Sequence, residues 1–112
     1  MEPQAPRAYV AVEITSFTDD SQPGWVECRL VDARGQAHRF VEKVPVVTEA
    51  ALERGSSYPA PGVLGCEVVE ERSEDGRTLL LIDTASPWGI ESVTGQTRFV
   101  VLREQVTITT GP

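Results

Sequence analysis

The sequence predicts an all-β fold: a small antiparallel β-barrel or curled roll of about seven short strands built from hairpins, with one short helix. Three observations predict it. Turn signals recur at intervals of roughly 8–12 residues. Between them apolar side chains alternate with a period of two, as in a strand with one face buried. The third is an internal echo. Residues 23–32 (PGWVECRLVD) and 61–70 (PGVLGCEVVE) share Pro, Gly, Cys and one Val at matching offsets. Each opens on a Pro-Gly break, runs on as a strand-like segment, and reaches a polar turn before a second apolar stretch. Hairpin neighbours pair antiparallel, and a closed sheet removes the edges that an open one leaves exposed.

Residues 1–7 (MEPQAPR) read as a frayed tail before a single β domain over residues 8–110. Residues 9–17 (YVAVEITSF) place Val10, Val12 and Ile14 on one face and Glu13 and Thr15 on the other. Residues 18–24 form a loop of side chains that bond their own backbone. The next strand turns Val26, Cys28 and Leu30 inward. Asp32-Ala33-Arg34-Gly35 has the Asp and Gly that open and close a common turn. The return strand carries His38 and Phe40 on one face, and Pro45 ends it or sits on an edge. The helix is expected over residues 48–54 (TEAALER), capped by Thr48 and stopped at Gly55, with Ala51 and Leu52 docked on the sheet. Residues 56–62 (SSYPAPG) are an extended connection anchored by Tyr58.

In the second hairpin Leu64, Cys66 and Val68 face inward, and its tip (SEDG) holds the Asp-Gly pair that tight hairpins favour. Residues 78–83 (TLLLID) read as a central strand buried on both faces. Residues 90–93 and 96–102 predict a third hairpin around Thr94-Gly95. Residues 103–110 predict a last edge strand, one that could pair with a second copy, so either a monomer or an edge-strand homodimer is expected.

Composition bounds the function. At 112 residues, 40% apolar and 24% charged, the chain is an ordinary single globular domain. Its net charge of −7 repels phosphate backbones and argues against nucleic acid. No apolar run approaches the roughly 20 residues of a membrane span, and residues 1–7 lack a signal-peptide pattern. A cytoplasmic protein is expected, with Cys28 and Cys66 as reduced core thiols.

Catalysis finds little support. Zinc sites, proton relays and catalytic triads lean on imidazole, and His38 is the single histidine. Cys28 lies across the Asp32–Gly35 turn from it, yet alternation assigns Cys28 to the apolar face. There is no CxxC or CxxH spacing, no glycine-rich phosphate loop and no GxSxG elbow, so no metal and no cofactor is expected. Two features remain. Glu70, Glu71, Glu74 and Asp75 crowd the second hairpin, opposed by Arg72 and Arg77; they serve solubility or form an acidic patch for a basic protein partner. Trp25 and Trp88 each stand in a Pro/Gly turn. They close a barrel end over the core, or, with Tyr58 and His38, flank a recognition surface, since Trp and Tyr are enriched at hot spots.

The strings PGWVECRLVDARGQAHRFVEKVPVV, SYPAPGVLGCEVVE and DTASPWGIESVTGQTRFVVL resemble a set of small bacterial proteins of unassigned function. The resemblance covers nearly the whole chain beyond the tail. It implies a compact bacterial cytosolic domain and supplies no activity and no site residues. The expected function is therefore a non-catalytic, acidic protein-interaction module. The alternative is a small-ligand barrel or minor enzyme with a pocket near Trp25, Trp88 and His38.

Overall fold

Two strands longer than the rest let this sheet curl. In the computed structural model, which describes residues 5–109, β1 (Ala8–Asp19) and β4 (Ala60–Glu74) are joined by β2 (Trp25–Val31), β3 (Ala37–Lys43), β5 (Arg77–Asp83), β6 (Arg98–Leu102) and β7 (Val106–Ile108). The strand order is β3-β2-β1-β4-β5-β6, with β7 also beside β1, and every pairing is antiparallel. The result is a curled half-barrel. β1 takes β7 at its start and β2 at its end, and β4 takes β1 along its first half and β5 along its second. Bulges between Ile14 and Ser16, Phe17 and Asp19, and Val68 and Glu70 add twist where the partner changes or the ladder ends.

The predicted parity holds. Val10, Val12 and Ile14 of β1, Val26, Cys28 and Leu30 of β2, Phe40 of β3, Leu64 and Cys66 of β4, and Leu80 and Ile82 of β5 all point into one core. Phe99 and Val101 of β6 complete it, with the Phe40 and Phe99 rings 5.7 Å apart. Val68 is only half-buried. The end strands β3 and β6 approach one another without forming a ladder. Ala33 N–H of the β2–β3 turn donates to the Val100 carbonyl of β6, and Val93 N–H donates to the Arg39 carbonyl of β3. Full burial of bulky side chains such as Phe40, Ile14, Leu30, Leu64, Leu80 and Ile82 stabilises the fold by about 1.5–3 kcal/mol each before entropy is counted. It also leaves the interior filled with side chains.

The turns follow their residues. In the β4–β5 hairpin Asp75 (φ 50°) and Gly76 (φ 77°) are both left-handed, the two-residue arrangement that matches strand twist. In the β2–β3 hairpin Gly35 donates to the Asp32 carbonyl, while Asp32 Oδ1 accepts from the N–H groups of Arg34 and Gln36.

Four expectations need correction. The helix is not over residues 48–54; the one helical turn is α1 (Val44–Val47). Pro45 in its first turn loses no bond, because those N–H groups have no intrahelical partner, and Val44 and Val47, three residues apart, are both buried. Residues 48–54 instead satisfy their backbone locally. Thr48 Oγ1 accepts from Ala50 N–H and Ser56 Oγ from Glu53 N–H, and so short a segment cannot offset helix nucleation. Leu52 packs against the core, but Ala51 is exposed.

Residues 90–93 are not a strand. Ser92 clamps the Thr94-Gly95 turn by accepting from Gln96 N–H, while Val93 spends its N–H on β3, so no third hairpin ladder forms. The second Pro-Gly is not a break either: Pro61 and Gly62 lie inside β4, whereas Gly24 (φ 96°) makes a true turn. Lastly, the final strand is shorter than expected. A 3₁₀ turn (Arg103–Gln105) precedes β7, which pairs with β1 of its own chain.

Met1–Gln4 of the expected tail and Thr110 lie outside the described residues. Pro6 is buried, and Thr109 N–H donates to the Arg7 carbonyl at 2.8 Å, so ordered pairing reaches both ends of the described chain. Among the described residues no helix is long and apolar enough to cross a membrane.

Candidate functional site

A glycine on the outward face of β4 lies beside the site. Leu64 and Cys66 point into the core, so Gly65 between them points out, opposite Tyr9 of β1. A Cβ on Gly65 would lie 2.6 Å from Pro6 Cγ and 3.4 Å from Trp88 Cε3. A glycine inside a strand marks close approach of another group; here that group is Pro6, and the Trp88 indole lies beside it at ordinary van der Waals distance.

The loop after β5 holds the indole there. Asp83 Oδ1 accepts from Ala85 N–H, Gly89 N–H donates to the Ala85 carbonyl and Ile90 N–H to the Thr84 carbonyl. Gly89 (φ 67°) allows the closure, and fully buried Thr84 donates its hydroxyl to the Ile90 carbonyl at 2.7 Å. Trp88 sits on this closed loop with 41% of its surface exposed. That exposure is high for a residue that normally buries most of its 150–250 Å².

Trp88 forms one wall of an open cleft of about 530 Å³. The floor is the outward face of β1, β4 and β7 (Tyr9, Val63, Thr107), and the far wall is α1 together with the loop that leaves it (Pro45, Val46, Glu49). Pro61 and Gly62 border it. Val63 is 37% exposed, so the floor is apolar and open to solvent. Glu49 is the one charged residue of the lining, and it has no ion-pair partner among the described residues.

The other predicted site residues lie elsewhere. Trp25 starts β2 opposite Lys43, whose ammonium sits 5.6 Å from the indole centroid. Tyr58 packs against the core and donates its hydroxyl to the Glu53 carbonyl at 2.6 Å, as an anchor does. His38 lies opposite Leu30, while Cys28 lies opposite Phe40, so the register does not set imidazole and thiol side by side. His38 Nε2 donates instead to Asp32 Oδ2 at 2.8 Å, and its ring meets Phe99 edge-on at 4.8 Å. Burial pushes the Asp32 carboxyl up, but the bond from His38 and the N–H groups of Gln36 and Arg34 outweigh it and hold the carboxyl below its ordinary value. This pair clamps the β2–β3 turn to the core.

Cys28 and Cys66 are free, buried thiols, each pushed up to about 12, chiefly by burial. A thiol in that state is a poor nucleophile. Glu42 also sits opposite a core residue, Val26, and burial raises its carboxyl.

Glu70, Glu71, Glu74 and Asp75 are all exposed at the end of the β4–β5 hairpin. Arg72 Nε holds Glu70 at 2.5 Å, whereas Glu71, Glu74 and Asp75 have no ion-pair partner among the described residues. A second cleft, of about 500 Å³, lies between Ala8, Cys66, Val68 and Ile108; it has no aromatic wall and carries both Arg7 and Glu67.

No family model matches this chain, and neither a curated protein nor a solved structure matches it. Of the four residues expected to form one surface, Trp88 alone lines this cleft. Tyr9, Val63 and Glu49 join it, although nothing in their sequence context marks them.

Proposed function

We propose that this chain is a cytoplasmic, non-catalytic module that docks a basic segment of another protein in the Trp88 cleft. The carrying observation is the fixed, half-exposed Trp88 over an exposed apolar floor, with Glu49 as the only charge at its border. A well-packed aromatic anchor among apolar neighbours is the usual centre of a protein-binding hot spot. The net charge of −7 and the unpaired carboxylates of Glu71, Glu74 and Asp75 add a field that raises the encounter rate with a basic partner. The free thiols fit a reducing compartment.

Site-specific photocrosslinking in cells tests this reading. A photoreactive residue replacing Val63, in the cleft floor, gives a discrete adduct with one protein. The same residue replacing Val93, which is 52% exposed but outside the cleft, does not. Identical adduct patterns at the two positions, or none at either, would refute the docking site.

A further inference from the structure

We propose that the occupant of the Trp88 cleft is an extended, proline-containing peptide segment with an arginine or lysine placed to reach Glu49. The inference rests on the docking reading above and assigns the chemistry of what docks.

A segment lying across the face of the cleft floor does not bind by strand addition, the first common way of holding a peptide. Strand addition needs unpaired N–H and C=O groups. Here β1 and β4 pair with each other from Ala8 and Cys66 to Ile14 and Ala60, and Tyr9 also pairs with Thr107 of β7. The face between β1 and β4 therefore offers side chains; among the described residues, unpaired backbone lies only at its rims, along the second edges of β4 over residues 60–66 and of β7. A polyproline II segment asks for none, because that helix has no internal hydrogen bonds and keeps its backbone solvated.

The lining supplies what such a segment does require. Trp88 and Tyr9 present ring surfaces, and Pro45 and Pro61 present rigid ridges on the opposite border. Aromatic-lined grooves hold proline-rich segments because those segments are already ordered and lose little entropy on docking. The cleft is open rather than enclosed, which suits a chain passing across it; small-molecule sites cover 70–90% or so of their ligand.

Charge fixes the remaining feature. Glu49 is the sole charged group of the lining, exposed and without an ion-pair partner among the described residues. A cationic side chain on the peptide complements it, and an acidic one meets repulsion from Glu49 as well as from the −7 field. Because Glu49 is exposed, the pair changes affinity by roughly two- to five-fold and mainly selects the peptide's charge.

The test uses the full chain with Trp25→Phe, which leaves Trp88 as the only indole. Its emission is titrated with a ten-residue proline-rich peptide carrying one arginine, the same peptide with alanine for proline, the same peptide with glutamate for arginine, and arginine amide. The proposal expects saturable binding of the first peptide and at least ten-fold weaker binding of the alanine version. The glutamate version binds more weakly, and Glu49→Gln reduces that preference for arginine by roughly two- to five-fold. Trp88→Ala, followed by calorimetry, lowers affinity about ten-fold or more; Glu49→Gln provides the check should Trp88→Ala disturb folding.

Equal binding of the proline and alanine peptides, arginine amide binding as tightly as the peptide, or no saturation up to millimolar concentration each overturns the proposal. If the peptides fail while the Val63 crosslink still gives a discrete partner, the assignment of occupant falls and the docking site stands. If both are silent, both fall.

Discussion

Gly62→Ala should destabilise this protein, against the usual expectation for a glycine in a strand. Replacing glycine by alanine normally gains about 0.4–1 kcal/mol from the unfolded chain, and a buried methyl adds about 0.8 kcal/mol. Open space around Gly62 would therefore predict a gain of about 1–2 kcal/mol. The structure offers none. A Cβ there would lie 2.8 Å from Ile14 Cγ1, 2.9 Å from Ile14 Cδ1 and 3.1 Å from the Val47 carbonyl oxygen. Ile14 is fully buried and Val47 O is backbone of α1, so neither has room to yield. Overpacking costs about 1–3 kcal/mol; with two contacts under 3.0 Å on a fully buried side chain the cost falls at the upper end, which leaves a net loss of at least about 1 kcal/mol and a melting shift of about 4–8 °C or more.

A double-mutant cycle isolates the cause. Ile14→Val removes Cδ1 and alone costs about 0.5–1.5 kcal/mol. In the Gly62→Ala background it should cost less, with a coupling of at least about 0.5 kcal/mol. Urea denaturation of the four proteins reads this directly. A neutral or stabilising Gly62→Ala, or strict additivity, would refute the close packing of Ile14 against Gly62.

Phe40→Ala, which empties a fully buried position beside Phe99, should cost about 3–5 kcal/mol and lower the thermal melting midpoint by more than about 10 °C. With both thiols pushed up to about 12, Cys28 and Cys66 should stay unreactive toward a thiol reagent at pH 8 until the protein is denatured; fast labelling of either in the native state would contradict their burial. Asp32 and Asp83 are held below the ordinary carboxylate value, so each contributes stability that is present above pH ~4 and lost as pH falls through its lower folded value. Asp32→Asn should thus cost about 1–2 kcal/mol at pH 5, with the gap to wild type narrowing as pH falls below ~4; a pH-independent gap would mean that charge plays no part. Neutralising Glu71, Glu74 and Asp75 should slow association with a basic partner several-fold at low salt and leave dissociation unchanged, since exposed charges act on encounter; surface plasmon resonance separates the two rates.

The barrel-like fold was legible because its signals are local and repeat with period two. Val10, Val12 and Ile14, or Val26, Cys28 and Leu30, declare a buried face within a few residues, and Asp75-Gly76 declares its own turn. Helix placement was less legible. Residues 48–54 contain better helix formers than Val-Pro-Val-Val, yet the turn forms where Val44 and Val47 find the core, so tertiary burial outweighs propensity. The cleft was barely legible. Its residues Tyr9, Glu49, Val63 and Trp88 come from four separate stretches, and outward strand positions read as ordinary solvent face. Trp25, Tyr58 and His38 drew notice by residue type, but each is taken up by a structural partner: Lys43, the Glu53 carbonyl and Asp32.

The bond between Thr109 N–H and the Arg7 carbonyl has a consequence for how this fold can be used. It brings entry and exit of the described chain to neighbouring strands, about one strand spacing, or roughly 5 Å, apart. A host protein could carry the whole half-barrel in a single surface loop, as a guest whose two attachment points cost the host almost no separation. The same proximity permits a circularly rearranged chain, with a short linker from residue 109 to residue 7 and new ends at the exposed Asp75-Gly76 tip. The fold is in that sense portable: its wiring demands nothing of its neighbours beyond two adjacent strands' width.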